Sequence, residues 1–311
     1  MNWMVILMTL NIELAGIILK NPLMNASGIL GQNKEAIKRL YEYGFGAVVS
    51  KTITPMPRIG NKPPIILSLP NGGLINAVGL ENPGKGTIKE LVEEAKELNI
   101  PIIVSVGGTN EDEFSEVAKE AEISGANAIE LNLSCPHTKG YGLEIGADPR
   151  NVFNVVKNVS SIIKIPVIAK LGLNDKIVEA SGKALEAGAK ALGLINTVKA
   201  IYIDVYTLKP VLSNIHGGLS GPPIHPIAVR VIYDVYREYR AEIIGSGGVK
   251  DWKDAAEFIS AGAKAIQIGS ALISNDDPKH TIKSILGGLE NWLRFHNVTS
   301  LLELVGSAHR D

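Results

Sequence analysis

The sequence holds a single cysteine, Cys135, among its 311 residues. That excludes an intrachain disulfide and any iron–sulfur cluster built by this chain alone, since such clusters take about four thiolates. Charge of one sign is missing as well: 31 Lys and Arg stand against 32 Asp and Glu, a formal net charge of −1. No sequence-wide positive field exists to condense on a nucleic-acid backbone, which excludes nucleic acid as the main partner. Histidine pairs at H-x-x-x-H spacing are absent from the set His137, His216, His225, His280, His296 and His309, so no metal site is indicated. No run approaches the roughly 18 consecutive apolar residues of a membrane span. The apolar stretch Trp3 to Met8 lacks both a basic n-region and an A-x-A cleavage site. Residues 1–11 therefore read as an N-terminal extension, with Met8 as an alternative start, and the chain is expected to be cytoplasmic and free of membrane. Aromatics make up only 5% and charged residues 20%, against 45% hydrophobic residues. Such aliphatic-rich composition belongs to a folded chain with a large core and not to disorder.

What is present is a two-part repeat. One class of segment opens on Gly-Ala and runs apolar: Gly46-Ala47, Gly125-Ala126, Gly188-Ala189 and Gly262-Ala263. The other opens on Asn21-Pro22, Ile100-Pro101, Ile165-Pro166 or Ala241-Glu242 and reaches Gly28, Gly107, Gly172 or Gly248 at one constant offset. Proline suits a strand's first residue, where its missing N–H costs nothing, and glycine suits a sharp exit. Helical patterns separate the strands. Asp148-Pro149 precedes Val152, Val155, Val156 and Val159; Asn110 opens a segment carrying Phe114, Val117, Ala118 and Ala121; a third runs Ile224, Ile227, Ala228, Val231, Ile232 and Val235.

Short apolar strands alternating with amphipathic helices imply a parallel sheet covered on both faces. About eight such units predict a (β/α)₈ barrel in one domain over 1–311, with a doubly wound sheet as runner-up. The two strand classes favour the barrel, whose core is layered by alternate strands. The long segments 52–84, 132–148 and 197–222 all follow strands, so they share the face on which such barrels place their chemistry.

Lys51 and Lys170 each end an apolar run, placing an ammonium where a buried strand meets that face. A lysine snorkelling to solvent is the alternative for either one alone. Cys135, in Asn132-Leu-Ser-Cys-Pro-His, follows the fourth strand. Its thiol, with a reference pKa of about 8.5, is placed for proton transfer, although nucleophile and buried bystander remain open. Gly245-Ser-Gly-Gly248 and Gly269-Ser270 end the last two strands, where backbone N–H groups commonly bind phosphate. Gly79 to Lys85 imitates a phosphate loop, but Gly86 stands where Ser or Thr must bind magnesium. The sequons at Asn25, Asn132, Asn158 and Asn297 recur by chance in a cytosolic chain.

These residues bring out a resemblance to the class 1 dihydroorotate dehydrogenases, FMN-containing barrels of pyrimidine biosynthesis, over roughly residues 12–300. It is carried by Asn25-Ala-Ser-Gly28, Lys51-Thr52, the segment from Asn76 to Gly84, Asn132-Leu-Ser-Cys-Pro136, Lys170-Leu171, Ile195-Asn196-Thr197, the segment from Gly217 to Pro222, Gly245-Ser-Gly-Gly248 and Gly269-Ser270. The resemblance implies that Cys135 is the base removing the C5 proton of dihydroorotate while the C6 hydride passes to FMN. It implies a substrate site of Lys51, Asn76, Val78, Gly79, Leu80, Asn132, Asn196 and Thr197. Cofactor contacts would come from Ala26, Ser27, Lys51, Thr52, Asn132, Lys170, Ile195, Ser220, Gly221, Gly247, Gly248, Gly269 and Ser270. Lys170 would stabilise the anionic reduced flavin.

Two positions depart from the pattern. His137 stands where many members have Asn, as in dihydropyrimidine dehydrogenase flavin domains, and Gly172-Leu173-Asn174 replaces Ser/Thr-Pro-Asn. The stretch Gly217 to Arg230 looks most like the NAD-linked B type. That likeness implies a partner subunit carrying FAD and a [2Fe–2S] cluster, with NAD as acceptor and a homodimer core within a heterotetramer. Rival readings are an FMN-dependent reductase of another pyrimidine such as uracil, and a non-catalytic flavin electron-relay barrel, which would not need Cys135 or the asparagines at 76, 132 and 196. A tRNA-modifying barrel is disfavoured by the balanced charge.

Overall fold

In the computed structural model, which describes residues 9–134, 143–274 and 276–310, both strand classes become one parallel sheet. Its strands are β1 (Leu23–Asn25), β2 (Val48–Val49), β3 (Ile102–Val106), β4 (Ala128–Leu133), β5 (Val167–Leu171), β6 (Ala191–Leu194), β7 (Ile243–Ser246) and β8 (Ala265–Ile268). They lie side by side in the order β1-β8-β7-β6-β5-β4-β3-β2. A parallel bridge between Met24 and Ala47, with the Gly46 N–H donating to the Leu23 carbonyl at 2.8 Å, brings β2 back to β1. Neighbours in sequence are neighbours in space and the two ends meet, which is the expected barrel and not the doubly wound alternative.

Among the described residues eight helices of ten or more residues cover the sheet: α1 (Lys34–Tyr43), α2 (Ile88–Glu97), α3 (Glu111–Ser124), α4 (Pro149–Ile162), α5 (Ile177–Glu186), α6 (His225–Tyr239), α7 (Trp252–Ala261) and α8 (Pro278–Phe295). Their starts follow the side-chain chemistry. Asn110 accepts from the Glu113 N–H and Asp148 from the Arg150 N–H, while Asp251 and Asp254 form a reciprocal capping box. The valines of α4 and the Phe114, Val117, Ala118 and Ala121 stripe of α3 are buried.

The Gly-Ala pairs divide their labour. Gly125, Gly188 and Gly262 adopt φ of +88°, +111° and +123° just past α3, α5 and α7, so the glycine ends a helix before its alanine leads into the strand. Gly46 answers a different constraint, since a Cβ there would stand 2.1 Å from the Asn21 carbonyl oxygen.

Parallel register carries one inward-facing set round the barrel, because paired residues share a face. Ile103 pairs with Ala128, Ser105 with Glu130, Glu130 with Ile168, Asn132 with Lys170, and Lys170 with Gly193. Beyond β7, Ile244 pairs with Ala265, and Gln267 pairs with Met24 of β1. At the N-terminal end an antiparallel hairpin of Ile12–Leu14 and Ile17–Leu19 is tied by the Ala15 N–H to the Glu242 carboxylate at 2.6 Å.

The segments 52–84 and 197–222, read from sequence as loops, build a second sheet. Its four antiparallel strands run in the order Val198–Ile201, His216–Ser220, Leu74–Asn76 and Ile66–Ser68, around a small core of Ile75, Ala77 and Leu212. No helix among the described residues is long and apolar enough to cross a membrane.

Candidate functional site

Between this second sheet and the C-terminal ends of the barrel strands lies a cavity of about 400 Å³. Its floor is polar although it sits on an apolar barrel. Lys170 does not end its strand as the sequence suggested; it lies inside β5 with only 3% of its surface exposed. Its Nζ donates to Gln267 Oε1 at 2.7 Å and to Ser27 Oγ at 3.3 Å, and faces Glu130 Oε1 at 3.8 Å. Burial holds the Lys170 ammonium below its usual 10.5, with the Glu130 carboxylate acting in the opposite direction. The anion that a buried lysine requires is thus a side chain of this protein.

From Glu130 the polar contacts continue around the floor. Ser105 Oγ donates to Glu130 Oε1 at 3.0 Å and lies 3.0 Å from Thr52 Oγ1. Asn132 Nδ2 donates to Thr52 Oγ1 at 2.9 Å, Ser134 Oγ donates to Asn132 Oδ1 at 2.8 Å, and Asn196 Nδ2 donates to Ser134 Oγ at 2.8 Å. Every one of these groups is satisfied, which a buried polar cluster needs in order not to destabilise the fold.

At the mouth, Lys51 Nζ lies 3.9 Å from Glu81 Oε2, whose side chain is 59% exposed. An ion pair this open contributes little and can be exchanged for another anion. Asn82 shapes the neighbouring wall: its Nδ2 donates to the Leu80 carbonyl at 2.8 Å and its Oδ1 accepts from the Gly84 N–H at 2.9 Å.

At the far end, β7 and β8 run out into Gly247-Gly248 and Gly269-Ser270. The N–H groups of these four residues have no acceptor among the described residues. Gly247 and Gly248 adopt φ of +136° and +77°, and a Cβ on Gly248 would come within 2.5 Å of the Gly221 carbonyl oxygen. Free backbone donors in a left-handed turn form an anion cradle. A cradle for a phosphate, a buried cation on the floor and a half-enclosed slot between them fit the dimensions and polarity of FMN.

The cavity gathers the expected residues from the whole length of the chain. Ala26, Ser27, Lys51, Thr52, Asn76, Val78, Gly79, Leu80, Asn132 and Lys170 line it, and so do Ile195, Asn196, Thr197, Ser220, Gly221, Gly247, Gly248, Gly269 and Ser270. Cys135 lies outside the described residues, as does His137. Sequence reasoning missed the apolar walls Ile65, Ile66, Leu74, Ile224 and Ile273, the mouth residue Glu81, and Ser246. Below the cavity it also missed Ser105, Glu130 and Gln267. Gln267 is the single polar residue inside the apolar run of β8, and Glu130 shares β4 with Asn132 as its two polar residues. Among the described residues no cluster of three metal-ligating side chains occurs.

Comparison with known proteins agrees with this geometry. The profile of the family described as Dihydroorotate dehydrogenase matches residues 9–293. A protein of Aeropyrum pernix named as a dihydroorotate dehydrogenase A (fumarate) is 49% identical over 302 residues, 97% of this chain and 98% of that one. A dihydroorotate dehydrogenase B (NAD(+)) catalytic subunit of Pyrococcus furiosus is 45% identical over 305 residues, 97% of this chain and all of that one. The crystal structure of a DHODH from Eimeria tenella in complex with ferulenol aligns with a TM-score of 0.85 at 25% identity, covering 97% of this chain and 89% of that one.

Proposed function

The chain belongs to the dihydroorotate dehydrogenase family, and from that premise we infer how its cavity works. It is an FMN-dependent oxidoreductase that converts dihydroorotate to orotate in pyrimidine biosynthesis. FMN, when bound, supplies the acceptor for the hydride that leaves C6; the remaining work falls to the side chains of one barrel domain. Gly247, Gly248, Gly269 and Ser270 hold the phosphate through their N–H groups. Ala26, Ser27, Thr52, Ile195, Ser220 and Gly221 line the ring's place, and the Lys170 ammonium favours the electron-rich reduced form.

Lys51 exchanges Glu81 for the carboxylate of the substrate, joined by the backbone of Val78, Gly79 and Leu80. The amides of Asn76, Asn132 and Asn196, with Thr197, donate to the pyrimidine ring and exclude rotated poses. Cys135, as its thiolate, removes the C5 proton, without which the C6 hydride would leave behind an unstable cation. The observation that carries this reading is Lys170, a cation kept buried beneath a cavity that opens onto an anion cradle.

Relatives named as NAD(+)-type catalytic subunits imply a separate electron-transfer subunit. We assign this chain the same division of labour. The partner carries FAD and a [2Fe–2S] cluster and passes electrons to NAD, and the catalytic chains form a homodimer core within a heterotetramer. One cysteine in the whole chain agrees with cluster ligands lying elsewhere.

Activity is tested by following orotate formation from dihydroorotate by the isolated chain with an artificial dye as acceptor. Orotate should accumulate; dihydroorotate left untouched while reduced protein turns over uracil would assign the chain to uracil reduction. Reoxidation tests the partner. The isolated, reduced chain should pass electrons to NAD slowly, and rapid reoxidation by NAD or by fumarate without a second polypeptide would overturn the assigned subunit.

A further inference from the structure

We propose that Glu130 is the positioning residue of this site: a buried carboxylate that fixes, through two hydrogen-bonded arms, the ammonium of Lys170 and the amides of Asn132 and Asn196. The proposal rests on the FMN reading above. Glu130 is fully buried, and a carboxylate offers only acceptors, so every neighbour touching it must present a hydrogen.

The first arm starts at Oε2, which accepts from Gln267 Nε2. That contact turns the other end of the same amide, Oε1, toward Lys170, whose Nζ it receives at 2.7 Å. Glu130 Oε1 itself lies 3.8 Å from Nζ, beyond hydrogen-bond reach. The Gln267 amide therefore stands between the two charges. It keeps the ammonium beside Ser27, on the cavity floor, instead of collapsed onto the carboxylate.

The second arm starts at Oε1 and is a chain of forced choices. The single Ser105 hydroxyl hydrogen is used on Glu130. In the contact between Thr52 Oγ1 and Ser105 Oγ at 3.0 Å, Thr52 must then be the donor. Its oxygen can now only accept, so Asn132 presents Nδ2 to it and turns Oδ1 toward Ser134. Ser134 donates its hydroxyl to that Oδ1 and accepts from Asn196 Nδ2. The Ser134 N–H at 3.3 Å and the Thr197 N–H at 2.7 Å support the same orientation of the two amides. One N–H on each asparagine is left for a ligand, which suits a ring edged with carbonyl oxygens.

The test uses the FMN-loaded chain and two equilibrium titrations that need no turnover. Sulfite, which adds to an oxidised flavin and leaves it anionic, reads the Lys170 arm; orotate, followed through the flavin absorbance, reads the asparagine arm. Glu130→Gln removes the counter-charge, so sulfite should bind about tenfold tighter while orotate binds about fivefold weaker. Ser105→Ala cuts the second arm alone: orotate weakens by about the same factor and sulfite is unchanged. Gln267→Met cuts the first arm alone. The ammonium then closes on Glu130, sulfite weakens, and orotate is unchanged. If Glu130→Gln yields no folded protein, the two single-arm variants still decide. Folded variants that bind both probes as wild type does, or single-arm variants that move both probes, overturn the proposal while the flavin reading stands. A wild-type chain that retains no flavin overturns the reading and the proposal with it.

Discussion

Two layers of the same barrel interior, two residues apart along strands β3, β4, β5 and β8, differ in chemistry. The lower one is dry and sorted by strand parity. Met24, Ile103, Ile168 and Ile244 come from the odd strands, and Ala47, Ala128, Ala191 and Ala265 from the even ones, all buried. Large and small side chains from alternate strands interdigitate, which is how a barrel core fills without voids. The upper one holds Ser105, Glu130, Lys170 and Gln267, equally buried but joined by hydrogen bonds. Strand β4 crosses from one to the other in the inward sequence Ala128, Glu130, Asn132. The comparison separates two kinds of burial: one is apolar packing, the other a hydrogen-bonded polar cluster beneath the cavity.

If that separation is right, damage above should cost chemistry and damage below should cost stability. The largest effect is expected at the proposed proton-removing base. Cys135→Ala should slow reduction of the flavin by dihydroorotate roughly 10²–10⁴-fold, with FMN and orotate binding and the urea unfolding midpoint retained. Stopped-flow absorbance and equilibrium denaturation measure both. Below, Ile168→Ala should destabilise the chain by about 2–5 kcal/mol, the range for emptying a large buried aliphatic site, while the protein that remains folded reduces its flavin at nearly the wild-type rate.

Lys170→Met sharpens the boundary, since it removes the cation but not the bulk. Flavin reduction should fall at least about tenfold, as for loss of a charge that meets developing negative charge. The pH dependence follows from the same residue. Burial holds Lys170 below 10.5, so raising the pH through that lowered value removes the ammonium. The reduction rate should therefore decline on the alkaline side before pH reaches 10.5, and Lys170→Met should lack that limb. Smallest of all, Asn110→Ala removes the cap of α3, outside both layers. It should lower stability by about 1 kcal/mol and leave every flavin measurement unchanged.

The barrel was legible because its signals are local. Proline or Gly-Ala marks the approach to seven of the eight strands, and side chains such as Asn110 and Asp148 mark helix starts. The second sheet was not legible: Leu74–Asn76 pairs with His216–Ser220 across more than 130 residues, and strands of three to five residues show no period of their own. Many of the cavity-lining residues could be named in advance through glycine positions, lysines and motif resemblance. The joint role of Glu130 and Gln267 could not, because their partners come from other strands and only the closed barrel brings them together.

The most direct test of the account mixes the purified yellow chain with dihydroorotate in the absence of oxygen and follows the visible absorbance of the oxidised flavin. The account predicts rapid bleaching with one orotate formed per flavin. A flavin that stays yellow with dihydroorotate, yet is reoxidised by uracil after chemical reduction, would contradict it.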